Sequence, residues 1–305
     1  MALDVYEWYG YRAEDSSEIA VGSAATGGCP FVPGPCTKPN HTCSVRLSDG
    51  ETIPVCPKRL YYERHRFARE IAADVFEDFA PNLSGDGLPA LVPGDRARAV
   101  AEETGNVQVG LFGKEGWSSE IQLPAGVEGG ARYSVDYTMV AVDPTGDLLG
   151  FVPIEVQTID TTGSYQPSLA ALAAGRSVVT SQKAGMNWEN VSKRILPQLI
   201  TKGLTLQGES LCAKGLFFVT PEPVFQRIMT RLGGLERLRR IPKQPGSITF
   251  IRYVHDRERA QDGEVVPMRR LEETTISTSD MSLAFITPQN LAGAGAYERT
   301  IRARL

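Results

Sequence analysis

The sequence has no apolar run near the roughly 18 residues that a membrane-spanning helix needs. Its first residues also lack the basic segment and following apolar stretch of a secretory signal. These absences argue against a membrane or secreted protein, and we expect a cytoplasmic one. Cysteine is scarce outside one short segment: only Cys212 lies elsewhere, at the start of an apolar run that predicts a buried core thiol.

Charge is unevenly divided along the 305 residues. Residues 1–160 carry 12 Lys and Arg against 24 Asp and Glu, whereas residues 161–305 carry 20 against 12. This division suggests an anionic partner for the C-terminal half, although the same charges could mix on one neutral surface. The apolar fraction of 42% is enough for a sizeable core, so the length fits one large domain or a domain with an appendage.

Four cysteines fall within 28 residues: Cys29, Cys36, Cys43 and Cys56. The segment around them is rich in Pro and Gly and cannot bury enough apolar surface to hold itself together, so it needs a crosslink. Two disulfides would suit a secreted chain, but cytosolic thiols stay reduced. Four thiolates around one tetrahedral metal ion is the better interpretation, and zinc and iron both accept such a shell. His41 could replace one of the cysteines.

The remaining pattern predicts an α/β fold with a central sheet flanked by helices. Residues 1–57 form an irregular, metal-stapled region in this interpretation, and residues 58–305 form the main domain. An amphipathic helix is predicted over 58–79, ended by a proline. Further helices are predicted over 166–182, 187–202 and 222–240, and strands over 107–112, 120–123, 133–142, 148–159, 213–221 and 247–254. The turn at 143–147 joins two of the strands in a hairpin.

Acidic side chains in this hairpin are the best candidates for chemistry. Asp136 lies in the first strand and Glu155 in the second, with Gln157 on the same face two residues later. Glu155 is surrounded by apolar residues, and a buried carboxylate requires a partner or a metal. With Glu120, which begins another short apolar run, these residues suit a magnesium site that also binds substrate phosphates. The alternative is that Asp136 and Glu155 are edge-strand charges that face water.

The pattern Asp136 followed by Glu155-Val156-Gln157 resembles the PD-(D/E)XK nuclease core, whose signature is Asp…(Asp/Glu)-x-Lys. Further motifs make the resemblance more specific: CPF, CSV and VCPKR around the cysteines, then EVQTID, TTGSY and NVSKRILPQ. In that order they resemble the NotI-type restriction endonucleases, which include EagI. The resemblance covers roughly residues 28–225.

The resemblance implies a mixed nuclease sheet and a type II restriction endonuclease. Asp136 and Glu155 would hold catalytic Mg²⁺, Gln157 would replace the motif lysine, and Glu120 would complete the site. The four cysteines would bind a structural metal, iron in that family. The family acts as a homodimer on double-stranded DNA, at G/C-rich palindromes centred on GGCC such as CGGCCG. A DNA methyltransferase of the same system is then a functional rather than a physical partner.

Basic residues provide candidate DNA contacts. Lys38 and Arg46 lie in or next to the cysteine segment, and Lys193 and Arg194 lie on the helix predicted over 187–202. Phosphate contacts by such residues would position the protein without reading sequence. The alternative is that these residues form a solvated face. Lys183 could contact phosphate or replace the motif lysine, because Gln157 can neither accept a proton nor carry a positive charge.

Two other functions fit the same residues. A DNA repair or recombination nuclease would share the fold but cut by DNA structure rather than by sequence. A non-catalytic DNA-binding protein would use the cysteine segment for recognition and would bind DNA without Mg²⁺-dependent cleavage. Against the latter, the candidate ligands lie in the acidic half of the chain, and carboxylates without a metal repel phosphate.

Overall fold

A computed structural model describes residues 3–123, 133–164, 166–175, 177, 179, 184–288 and 292–305. The strands in these ranges are β1 Leu3–Trp8, β2 Tyr11–Arg12, β3 Thr42–Leu47, β4 Thr52–Pro54, β5 Leu91–Pro93, β6 Gln108–Gly113, β7 Gln122–Leu123, β8 Tyr133–Ser134, β9 Tyr137–Val142, β10 Leu148–Val156, β11 Thr161–Thr162, β12 Gly185–Met186, β13 Leu216–Pro221, β14 Ser247–His255, β15 Met268–Arg270 and β16 Thr274–Ser277. The helices are α1 Glu18–Thr26, α2 Tyr62–Val75, α3 Ala97–Thr104, α4 Gln166–Gly175, α5 Leu196–Leu206, α6 Glu222–Arg231, α7 Thr278–Ile286 and α8 Ala296–Arg302. A π-helical turn, Val191–Ile195, leads into α5.

The central sheet has eight strands in the order β15-β14-β13-β10-β9-β6-β5, with β16 paired to β14. It is mixed: β13 runs parallel to β10 and to β14, and β5 runs parallel to β6, while the other pairs are antiparallel. Two large apolar clusters pack with it, one with α2 and the other with α5, α6 and α7. The predicted α/β arrangement of a central sheet flanked by helices is therefore confirmed. None of the helices in the described ranges has both the length and the apolar character needed to cross a membrane.

The predicted hairpin is present as β9 and β10. Their register runs from the pair Leu148 and Val142 to the pair Ile154 and Tyr137, and the Asp143 carboxylate accepts backbone N–H groups within the turn. The single strand predicted over 133–142 is interrupted at positions 135 and 136. At this point the carboxylate of Asp136 accepts a hydrogen bond from the backbone N–H of Val156 at 2.8 Å. A side chain thus takes the place of a backbone carbonyl in the hydrogen bonding between the strands.

All four predicted helices differ in extent from the observed ones. The helix predicted over 166–182 is α4, which ends at Gly175, and the one predicted over 222–240 is α6, which ends at Arg231 and is followed by a 3₁₀ turn, Leu235–Arg237. The helix predicted over 58–79 is a 3₁₀ turn, Pro57–Tyr61, followed by α2, whose early residues 63–65 have left-handed φ angles. These residues bring the ring of His65 into the interior, where its Nε2 lies 3.0 Å from the hydroxyl of Tyr137. The helix predicted to end at Gly203 continues to Leu206. Position 203 therefore lies inside the helix. A glycine is suited to it because a Cβ there would approach Thr278 Oγ1 to 2.7 Å.

The expectation that residues 1–57 are irregular is wrong. Strands β1 to β4 form a four-stranded antiparallel sheet in the order β2-β1-β3-β4. Its buried residues, among them Val5, Val45 and Ile53, belong to the same apolar cluster as Phe250 of the central sheet. β3 and β4 are short and lie among Pro, Gly and Cys residues that interrupt the strand pattern, whereas β1 contains none of these residues. The division at position 57 stays a prediction.

A buried ionic network joins the two sheets. The single N–H of Arg59 Nε is shared between the two carboxylate oxygens of Glu7 on β1, at 2.9 and 2.8 Å, and Glu7 lies 3.0 Å from His255 Nε2 at the end of β14. The side chains of all three residues are fully buried. Burial raises the pKa of Glu7, but Arg59 and His255 outweigh that effect and lower it to about 2. Glu7 therefore stabilises the fold as a carboxylate.

Glu7→Gln should lower the free energy of unfolding at pH 7 by roughly 3 kcal/mol, because it leaves Arg59 without its buried counter-charge. The folded pKa of Glu7 is below its ordinary value of 4.5, so this stability is present above pH 4.5 and is lost as the pH falls toward 2. Urea unfolding between pH 7 and pH 2.5 measures both effects. Glu14→Gln, at an exposed acid, is the control. Parallel stability profiles for wild type and Glu7→Gln would contradict the prediction.

Candidate active site

A cleft of about 520 Å³ opens at the end of the β9–β10 hairpin. It brings together all four residues that the sequence analysis proposed as catalytic: Glu120, Asp136, Glu155 and Gln157. Residues from distant parts of the chain also line it, including Lys58, Lys114 and Lys202. The cleft therefore has the mixed charge that a metal-dependent site for an anionic substrate requires.

Asp136 and Glu155 lie side by side because of the hairpin register. Ile154 of β10 pairs with Tyr137 of β9. Glu155 directly follows Ile154 and Asp136 directly precedes Tyr137, so the two acids are neighbours beyond this pair. Glu155 belongs to β10, which has β9 on one side and β13 on the other, so it is not on a sheet edge. Its side chain is 14% exposed. The alternative that these acids are edge charges facing water does not fit this position.

The environment of the acid pair disfavours two negative charges. Burial raises the pKa of Glu155 to about 8, and the charge on Asp136 acts in the same direction, while Lys202 opposes it. Burial also raises the pKa of Asp136, against the effects of the Val156 N–H and of Lys202. Ionising both carboxylates would place more negative charge here than one ammonium compensates, and a divalent cation would offset that excess.

Lys202 is the site residue that the sequence analysis missed. It lies on α5, and its Nζ is 2.5 Å from Glu155 Oε1. Leu199 and Leu206, three residues before it and four after it, are both buried, so Lys202 occupies a core position of the helical repeat. A lysine within an apolar stripe is the signal that could have identified it.

Gln157 lies in the cleft but uses its amide on the backbone. Its Nε2 donates to the carbonyl of Thr158 at 2.7 Å. Its own backbone is held by β13, through an N–H bond to the carbonyl of Val219 and a bond from the hydroxyl of Thr220. The side chain is thus fixed in place and contributes no charge to the site.

The other charges of the cleft are largely paired. Lys114 Nζ lies 2.9 Å from Glu120, and Lys58 Nζ lies 2.8 Å from Glu115. Arg194, from the π-helical turn, lines the cleft and forms no ion pair within the described ranges. Of the proposed DNA-contacting residues it is therefore the one best placed to meet a phosphate near the acid pair.

Three of the other proposed DNA contacts lie in the described residues, and none of these three lines the cleft. Lys38 Nζ donates to the carbonyl of Val55 at 2.7 Å in the cysteine segment, and Arg46 on β3 pairs with Asp4 and Glu14. The exposed Lys193 pairs with Glu189 at 2.5 Å. Lys183 lies outside the described residues.

The four cysteines come together as two pairs. The backbone N–H groups of Cys29 and Cys36 bond across a short turn to Gly34 and Gly27, and the N–H of Cys56 bonds to the carbonyl of Cys43. Burial raises the pKa of Cys56, and charge on Cys29 and Cys36 would raise it further, so the two pairs are neighbours. Cys212 is fully buried elsewhere, as predicted.

Neither group of side chains is a complete metal-ligand set. Within the described residues, no three or more His, Cys, Asp or Glu side chains are gathered as metal ligands. The acid pair nevertheless fits Mg²⁺, which is commonly held by one or two carboxylates together with water and substrate phosphates. The cysteines offer four sulfur donors of the type that zinc and iron bind, but they are neighbours rather than a closed shell.

A comparison of the chain with protein-family models returns no match, and neither does a comparison with curated proteins.

Asp136→Asn and Glu155→Gln should each weaken Mg²⁺ or Mn²⁺ binding by more than about 100-fold, because each removes one of two proposed protein ligands. Isothermal titration calorimetry of the purified protein measures this loss. Glu103→Gln, at an exposed acid of α3, is the matched control and should bind as wild type does. Unchanged cation affinity in both site variants would show that the acid pair has another role.

Proposed function

We propose that the protein is a Mg²⁺-dependent type II restriction endonuclease with a PD-(D/E)XK nuclease core. The observation that supports this function most directly is the pair Asp136 and Glu155, which adjoin at the end of a β-hairpin beside a buried lysine. The sequence motifs shared with the NotI-type enzymes add the expectation of sequence-specific cutting. The proposal implies a cytoplasmic location, where foreign DNA would be met.

In this proposal Asp136 and Glu155 hold Mg²⁺, and Glu120 completes the acidic side of the cleft. When bound, the cation neutralises charge that develops on the scissile phosphate and makes a nearby water more acidic. The carboxylate of Asp136 is oriented by the N–H of Val156 and that of Glu155 by Lys202, so both are preorganised before substrate arrives. Arg194, which lines the same cleft, would contact a flanking phosphate.

The substrate in this proposal is duplex DNA with a short G/C-rich palindrome, GGCC-centred and CGGCCG-like. A palindrome presents the same bases to each of two subunits, so we propose that the enzyme acts as a homodimer. Its counterpart in the cell would be a DNA methyltransferase that protects the same sequence.

The wild-type protein with Mg²⁺ should cut plasmid or phage DNA into discrete, reproducible fragments. Asp136→Ala or Glu155→Ala should reduce the cleavage rate by at least about 10³-fold, because the metal contribution to such reactions is worth several kcal/mol. Both variants should still bind the recognised duplex in Ca²⁺. Gel analysis of the digests and sequencing of the cut ends measure the outcome.

Glu103→Ala is again the control. A smear, or cutting confined to branched DNA, would favour a repair or recombination nuclease over a restriction enzyme. Specific binding without any Mg²⁺-dependent cleavage would indicate a non-catalytic DNA-binding protein.

We also propose that Cys29, Cys36, Cys43 and Cys56 bind one structural iron or zinc ion. The support is their arrangement as two neighbouring pairs in a segment with little apolar core of its own. A metal would draw the four sulfurs together and fix the segment that carries Lys38. A shell of four sulfurs leaves no open coordination position, so its role is stability and not chemistry.

Cys43→Ser should remove one metal ion per chain and lower the melting temperature by roughly 5 °C or more, because metal binding contributes directly to folding. Elemental analysis of the purified protein and thermal unfolding measure the two effects. Cys212→Ser is the control, since Cys212 is also a buried cysteine but lies outside the group, and it should leave the metal content unchanged. An unaltered metal content in Cys43→Ser refutes the four-cysteine site.

A further inference from the structure

The strand position two residues after Glu155 carries no positive charge. Gln157 is neutral, and its amide nitrogen is committed to the carbonyl of Thr158. Hydrolysis of a phosphodiester develops negative charge around phosphorus, and a fixed cation close to that charge accelerates the reaction. The cleft must therefore obtain such a cation from another element if it is a nuclease site.

We propose that Lys202 is the catalytic cation of this site, supplied by α5 in place of a lysine at position 157. Its ammonium lies 2.5 Å from Glu155 Oε1 and lines the same cleft as Asp136. The inference rests on the proposed nuclease function and adds to it the residue that faces the scissile phosphate.

The placement of Lys202 is unusual for a lysine. The residue is only 7% exposed, and lysine is seldom this buried without a partner or a function. Across the described residues its ammonium has Glu155 as its one hydrogen-bond partner. An ammonium has three N–H groups, so two remain to meet a phosphate oxygen in the cleft.

The other cations of the cleft are less suited to this role. Arg194 lines the cleft but forms no hydrogen bond or ion pair with either acid within the described ranges. Lys114 is 69% exposed on its side chain and is bound to Glu120, and Lys58 is bound to Glu115. Among the cationic side chains that the structure describes, only Lys202 forms a hydrogen bond with a member of the acid pair. A charge that is buried and preorganised is also worth more than an exposed one, because less solvent screens it.

The chemical step needs no proton from Lys202. The oxygen of a water forms a bond to phosphorus, the bond from phosphorus to the 3′ oxygen breaks, and the water loses a proton to solvent while the 3′ oxygen gains one. Lys202 remains an ammonium throughout. It donates hydrogen bonds to a non-bridging phosphate oxygen and stabilises the charge that accumulates there.

The decisive experiment moves the charge from the helix to the strand. Lys202→Gln keeps a donor for Glu155 but removes the charge, and it should lower the single-turnover cleavage rate about 10²- to 10³-fold. The double variant Lys202→Gln with Gln157→Lys should recover most of that loss. Lys202→Met is a second charge-removing variant, for use if Lys202→Gln does not fold. Lys243→Gln is the matched control, because Lys243 is also a largely buried lysine paired with acids, Asp74 and Glu273, and lies outside the cleft.

Cleavage, Mn²⁺ affinity and thermal unfolding are measured for each variant. The proposal is supported if Lys202→Gln loses rate while it keeps cation binding and stability, and if the relocated lysine restores the rate. It is overturned if Lys202→Gln cuts within threefold of the wild-type rate, if the rate falls only together with cation affinity or stability, or if the relocated lysine fails to restore it. Absence of cleavage by the wild-type protein would instead refute the proposed nuclease function.

Discussion

The mutual proximity of two largely buried carboxylates is the constraint on which the site depends. Asp136 and Glu155 are brought together by the register of β9 and β10, and burial makes two negative charges there unfavourable. The surroundings respond in two ways: the strand breaks so that the Val156 N–H can meet Asp136, and α5 inserts Lys202 against Glu155. The incomplete neutralisation that remains gives the site its affinity for a divalent ion in the proposed function.

The parts of this arrangement that could be predicted from the sequence are the local ones. The turn after Asp143 and the apolar runs on both sides define the hairpin, and the hairpin alone makes Asp136 and Glu155 neighbours. The position of Lys202 could not be obtained in this way, because it depends on how α5 packs against a strand 47 residues earlier in the chain. The N-terminal sheet was missed for a related reason: β1 and β3 are far apart in sequence, and the part of the cysteine segment that precedes β3 shows no strand pattern.

The N-terminal sheet and the central sheet are held together by charge as well as by apolar packing. Arg59 follows Cys56 by three residues, and its guanidinium lies 4.9 Å from the ring of Phe31, between Cys29 and Cys36 in sequence. The same side chain is bound to Glu7 and so reaches His255 on β14 through that carboxylate. The side chain of Arg59 thus connects the cysteine segment to the contact between the two sheets.

The position of Lys202 relative to β10 depends on how closely α5 packs against α7, and Gly203 of α5 lies at this contact. A Cβ at 203 would approach the side chain of Thr278 on α7 to 2.7 Å, so a larger residue there displaces that side chain or moves α5. A movement of α5 would also carry Lys202 away from Glu155 of β10. In the proposed function, the position of the catalytic cation would thus depend on an interhelical contact made by a residue that has no functional group of its own.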